Sequence, residues 1–223
     1  MERAELPGVG LDLVGRALDE VAGRASVSVD GPFVEDRRRQ RDPAHARCVA
    51  FIRRRLERDG WKVEQEVEIG QGRFRGWIDL LAFDTAAAAL LTTEFKSALP
   101  DVGAAERQLD WYQRHAVEAA HRFGWRPRSS HALLLLLATE ANDLRVRENA
   151  SPLEIALPGR AVEFAAWLAD RSSAAPPRRG LAMVDPYDRH ARWLRPTKAD
   201  GRRPLAPYAN YADFMRRTRA GRS

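Results

Sequence analysis

Residues 75–100 read RGWIDLLAFDTAAAALLTTEFKSALP. The segment FRGWIDLLAFD predicts one strand and LLTTEFKS the next, with the short link DTAAAA making them neighbours in a hairpin. Asp79 interrupts the first apolar run, and Glu94 and Lys96 sit near the end of the second. A lone buried charge costs several kcal/mol at least, so something has to offset these three. Residues two apart on a strand share a face. Glu94 and Lys96 therefore point one way, and Phe95 points the other, into core. With Asp79 on the neighbouring strand, one face is expected to collect two acids and a lysine. A hard divalent cation, Mg²⁺ or Mn²⁺, takes carboxylate oxygens as ligands and would balance the acids, with the Phe95 carbonyl as a further donor. The matching chemistry is an activated water, a lysine to position it, and a phosphodiester as target.

The flanking sequence supplies the rest of an α/β domain. Upstream, a helix is predicted over about 43–59, with Asp42 as N-cap, Pro43 at the first helical position, and Val49, Ile52 and Leu56 as the buried stripe. Gly60 ends it. WKVEQEVEI then alternates, with Val63, Gln65, Val67 and Ile69 expected on one face, and GQGR turns into the strand that carries Asp79. Downstream come a helix over about 103–123 and a buried strand, 132–138. The order α-β-β-β-α-β predicts a mixed central sheet flanked by helices. A further helix is expected over 159–170, strands at LAMVD and RWLRP, and a closing helix at YADFMRRTRA. Leu11, Val14, Leu18 and Val21 share a helical face in an N-terminal extension, residues 1–41. The boundaries follow as 1–41, a core over 42–171, and a basic C-terminal extension over 172–223.

The chain has 223 residues, 44% hydrophobic and 30% charged, as a folded domain requires. No apolar run reaches the ~18 residues of a membrane span, and the N-terminus lacks a signal peptide's apolar core, so no membrane partner and a cytoplasmic location are expected. A single cysteine, Cys48, excludes an internal disulfide framework and a cysteine-cluster metal site. Formal net charge is +6, and residues 171–223 alone, with 13 Arg/Lys against 4 Asp/Glu, carry +9. Such a tail points to an anionic partner, nucleic acid above all; an arginine-biased composition and a solvated tail is the plainer alternative. Thirty-four of the 37 basic residues are arginine, which singles out Lys96: a compact ammonium titrates and orients water, as a guanidinium does poorly.

Asp79, the short segment to Glu94-Phe95-Lys96, and the element order together resemble the PD-(D/E)xK nuclease superfamily. The resemblance implies a restriction-endonuclease-like core, with Asp79 and Glu94 binding the metal and Lys96 assisting catalysis. In ERQLDWY, Gln108 and Tyr112 lie four apart on one helical face. This is similar to the Q-x3-Y element of RecB-like nucleases, which implies that Gln108 supports the site and Tyr112 contacts the substrate strand. Many relatives carry a glutamate in the first helix where Val49 stands here. RecB-like members use a histidine instead, and RDPAHA places His45 one turn earlier as a further ligand. The alternative is an ordinary, partly exposed histidine. The resemblance covers about residues 42–140.

The pattern RDxxHA…RGWIDLLAF…ExK…ERQ…WY is also similar to a smaller group of proteins that accompany helix-turn-helix regulators. Such a regulator and a homodimer are thus partners to consider beside DNA. In the tail, Arg192, Arg195, Arg202, Arg203, Arg216, Arg217 and Arg219 are the expected phosphate contacts, interleaved with Trp193, Tyr208 and Tyr211, which either stack on bases or pack the tail on the core. Two functional readings stay open: a Mg²⁺- or Mn²⁺-dependent deoxyribonuclease, and a nucleic-acid-binding or regulatory protein that keeps the fold with little or no activity.

Overall fold

The computed structural model describes residues 42–71, 75–170, 172–197 and 205–220. The expected helix at 11–24, the extension 1–41, the second half of the GQGR turn, and Arg202 and Arg203 lie outside the described residues.

Helix α1 (Pro43–Arg58) starts where the sequence signals it. Asp42 accepts a hydrogen bond from the Ala44 amide at 3.0 Å, and Pro43 occupies the first turn, where no intrahelical donor is needed. Gly60, at φ +84°, turns the chain so that the Trp61 amide closes on the Leu56 carbonyl at 3.0 Å. Strands β1 (Lys62–Ile69), β2 (Gly76–Asp84) and β3 (Ala89–Lys96) follow as an antiparallel meander. Helix α2 (Val102–Arg122), capped by Asp101, crosses back to β4 (Ser129–Leu137), which pairs with β3 in parallel. The segments α3 (Glu140–Glu148), α4 (Ala150–Ala156), β5 (Gly159–Arg160), α5 (Ala161–Ala169), β6 (Arg179–Val184) and α6 (Tyr211–Ala220) complete the described chain.

The six strands form one mixed sheet in the order β1-β2-β3-β4-β6-β5. Helices cover both faces. On one, α1 and α5 pack over Leu80, Leu91, Phe95, Leu133, Leu135 and Leu137. On the other, α2, α3 and α4 cover Leu134, Leu136 and Leu181, and the C-terminal half of α2 covers Ile78, Leu81 and Leu90. Burial on both faces explains why β4 reads as an unbroken leucine run instead of an alternation.

The boundary read at 171 falls inside this sheet, because β6 lies beyond it and sits between β4 and β5. The chain beyond β6 is laced to the core. Trp193, Leu194, Tyr208 and Phe214 are buried in the α1–α5 layer. The Glu140 and Ala141 amides donate to the Tyr208 and Ala209 carbonyls, and the Tyr211 hydroxyl bonds to Asp42, the cap of α1, at 2.6 Å. RWLRP is not a strand: only Arg195 pairs, in a single bridge to Met183. The segment that follows, with Pro196 in it, offers no ladder of donors to extend that bridge. The helix expected over 159–170 is α5, preceded by the two-residue β5.

Candidate active site

The side-chain alternation of β2 breaks at Asp79. In a regular strand Ile78, Leu80 and Ala82 would share a face. Here Ile78 packs on the α2 side, while Leu80 and Ala82 pack on the α1 side. The same switch runs through β1, where Val63 belongs to the α1 layer and Val67 and Ile69 to the α2 layer, so the four alternating residues of β1 do not share one face. Glu66, level with Asp79, adopts φ +52°, and the register of β1 with β2 skips this level. A left-handed conformation costs a non-glycine residue roughly 1–2 kcal/mol. On the other side, β2–β3 pairing stops at Leu80↔Thr93. Asp79 thus stands where both neighbours release β2. Its Oδ2 instead accepts the Phe95 amide at 2.8 Å. Nothing in the residue type of Glu66 marks it in the sequence as the point of the switch.

Two buried ion pairs meet at this break. In the first, Nε2 of His45 lies 3.2 Å from Asp79 Oδ2, and its imidazole makes an edge contact with the Phe95 ring. His45 is 7% exposed and Asp79 4%. Burial disfavours the imidazolium, but the hydrogen bond and charge of Asp79 outweigh it, with Lys96 opposing, and the pKa of His45 ends above its ordinary 6.5. In the second pair, Lys96 Nζ is 2.8 Å from Glu94 Oε1, each residue 4% exposed. The same Nζ donates to Gln108 Oε1 at 2.6 Å, and Gln108 Nε2 donates to the Tyr112 hydroxyl at 2.7 Å. Gln108 and Tyr112 are one turn apart on α2, which is why a four-residue spacing lets them touch.

The structure therefore brings together Asp79 with His45, and Glu94 with Lys96, Gln108 and Tyr112. The halves adjoin through Phe95, whose amide rather than carbonyl is seen to contact Asp79. Among the described residues, no group of three or more His, Cys, Asp or Glu side chains is arranged to hold a metal ion. Tyr112 is 1% exposed, so it braces Gln108 and offers no surface of its own. Of the tail arginines, Arg195 faces Asp185 and Asp188, Arg216 and Arg217 are both held by Asp213, and Arg192 is exposed. Cys48 is fully buried and burial pushes its thiol well above the ordinary range, so it packs and does not react.

No protein-family model matches the chain, and no curated protein matches it. No helix among the described residues is long and apolar enough to cross a membrane.

Proposed function

We propose that the protein is a metal-dependent nuclease that hydrolyses phosphodiester bonds, with DNA as substrate and a restriction-endonuclease-like core as its fold. The observation that carries this reading is the pairing of four buried ionisable side chains at one break in the sheet: Asp79 with His45, and Glu94 with Lys96. A structural core has no need of two acids, a lysine and a histidine buried together where β2 and β3 part, since a well-packed apolar set of similar volume is as stable or more so.

The donor types suit a divalent cation. Asp79 and Glu94 offer hard oxygens, and His45 an imidazole nitrogen of the kind that suits Mn²⁺ beside Mg²⁺. These three residues would hold it. When bound, such a cation supplies positive charge to the phosphoryl oxygens and makes water more acidic. The remaining roles belong to the chain. Lys96, now on Glu94, is positioned to turn its ammonium to the attacking water. Gln108 fixes the lysine amine, and Tyr112 fixes the rotamer of Gln108. The Phe95 amide and His45 keep the Asp79 carboxylate in one orientation.

The test is incubation of pure protein with plasmid and with single-stranded DNA in Mg²⁺, Mn²⁺ or EDTA. Cleavage that needs the cation and disappears in Asp79→Ala and Lys96→Ala supports the reading. Cleavage unaffected by either substitution removes it. A second reading, a nucleic-acid-binding or regulatory protein with this fold and little activity, is favoured by one observation: each acid already has a protein partner, Glu94 the Lys96 ammonium and Asp79 the His45 imidazole and the Phe95 amide, so the site is satisfied without a metal. DNA binding with no cleavage in any cation would select it.

A further inference from the structure

At the opposite end of the sheet from Asp79 and Lys96, the starts of β4 and β6 open into a cavity of about 820 Å³. Strands β3 and β4 run in parallel, so eight residues of strand, about 25 Å, separate this cavity from the candidate active site. Four arginines line it: Arg114, Arg128, Arg178 and Arg179. Asp110 bridges Arg114 and Arg179, and Gln113 holds the Arg179 Nε at 2.7 Å, which fixes one side of the opening. Arg128 and Arg178 are exposed, and among the described residues neither guanidinium has a hydrogen-bond or ion-pair partner.

One buried polar atom also belongs to a lining residue: Ser130 Oγ has no hydrogen-bond partner among the described residues. A buried polar group left unsatisfied costs about 1–3 kcal/mol, so such atoms mark places where a ligand or ordered water completes the structure. The other wall is apolar, with Val117 and Ile155; Ile155 is 84% exposed, the most exposed of the large hydrophobic residues described.

We propose that this cavity is a second ligand site, for a small phosphorylated molecule of the nucleoside phosphate class. Guanidiniums recognise phosphate oxygens in a bidentate fork, and here two are held in place while two remain available. The apolar wall suits a flat ring that inorganic phosphate lacks. The volume falls within the ~300–1,000 Å³ typical of small-molecule pockets. Both the position and the residues are separate from the nuclease reading, and the site stands whether or not the protein cuts DNA.

The experiment is a thermal-shift and calorimetric titration of the full chain with AMP, ATP, adenosine and inorganic phosphate. EDTA and constant ionic strength are kept throughout, so that neither a cation at Asp79 nor general screening contributes. The expected result is a saturable rise in Tm with a nucleotide. Adenosine and phosphate alone should bind at least tenfold more weakly. The double variant Arg128→Gln/Arg178→Gln should lose at least tenfold in affinity, with its ligand-free Tm unchanged, because neither side chain holds the fold together. Arg53→Gln, on the distant α1, should bind as wild type. Absence of saturable binding, or binding that survives the double variant, overturns the proposal. So does a short oligonucleotide without terminal phosphates that binds through Arg128 and Arg178 when nucleotides do not; the cavity would then be a groove for a nucleic-acid backbone.

Discussion

Lys96 is held from two sides and balances a buried acid, so its removal has two separable effects. Taking away the cation that Glu94 faces should cost about 3–5 kcal/mol, the usual penalty for breaking a buried pair from one side. Lys96→Met is therefore expected to unfold at lower urea in EDTA, and Glu94→Gln/Lys96→Met to regain most of the loss. Equal midpoints for wild type and Lys96→Met would show that the pair does not stabilise the fold. His131 gives a pH prediction. Burial lowers its pKa below 6.5, against the Pro177 carbonyl, which raises it, and with Arg178 adding to the fall. The folded protein then resists a proton that the unfolded chain accepts. The contribution of His131 to stability should be full above 6.5 and decline as pH falls from 6.5 toward the lower folded value. His131→Gln should flatten that limb, and an NMR titration should place the His131 midpoint below 6.5.

At the scale of elements, β5, β6 and α5 meet through two glycines. A Cβ on Gly180 would stand 2.2 Å from a Phe164 ring carbon and 2.7 Å from the Gly159 carbonyl oxygen. The backbone cannot retreat as a side chain does, so Gly180→Ala should cost at least the ~1–3 kcal/mol of an overpacked core. Chemical denaturation checks this, and a variant as stable as wild type would contradict the packing described. The sequence made the meander and its flanking helices readable because caps, turns and apolar runs agree there: Asp42-Pro43, Gly60, and the alternation before and after Asp79. Charges inside apolar strands exposed the site. The short helices α3 and α4 escaped because EANDLRVRE has almost no apolar stripe; its start signals are Thr139, whose hydroxyl accepts the Asn142 amide, and the first-turn acids Glu140 and Asp143. The face switch at Glu66–Asp79 escaped because it depends on one positive φ that a glutamate does not advertise. Strand β6 was legible, but its place was not: a proline- and alanine-rich linker reads as a boundary, and only pairing shows that the strand returns inside the sheet.

For the whole molecule, the basic C-terminal segment is a structural part of the domain. Trp193, Tyr208 and Phe214 are buried, so they pack the tail against the core and are not presented for stacking on bases. Truncation after residue 170 removes β6 from between β4 and β5 and should give an insoluble or non-cooperatively unfolding product. A soluble fragment with a sharp transition would refute this. The milder Phe214→Ala should retain the fold and cost about 3–5 kcal/mol, read from the urea midpoint. Phosphate contacts by Arg192, Arg216 and Arg217 remain compatible with this packing, because these guanidiniums stay at the surface. If they bind nucleic acid, replacing them should make the salt dependence of binding shallower by about one unit of slope per lost contact.

The insertion of β6 between β4 and β5 also bears on how the protein is made. A ribosome delivers β4, with its run of leucines, well before the strand that covers its edge. At ~5–20 residues per second the interval lasts on the order of seconds. Through that time the nascent chain carries an open edge of the most apolar of the described strands, the kind of template on which other chains assemble. A pause in translation after β4 should therefore favour aggregation, and a chaperone that shields leucine-rich edges should matter more for this protein's yield than its final stability does.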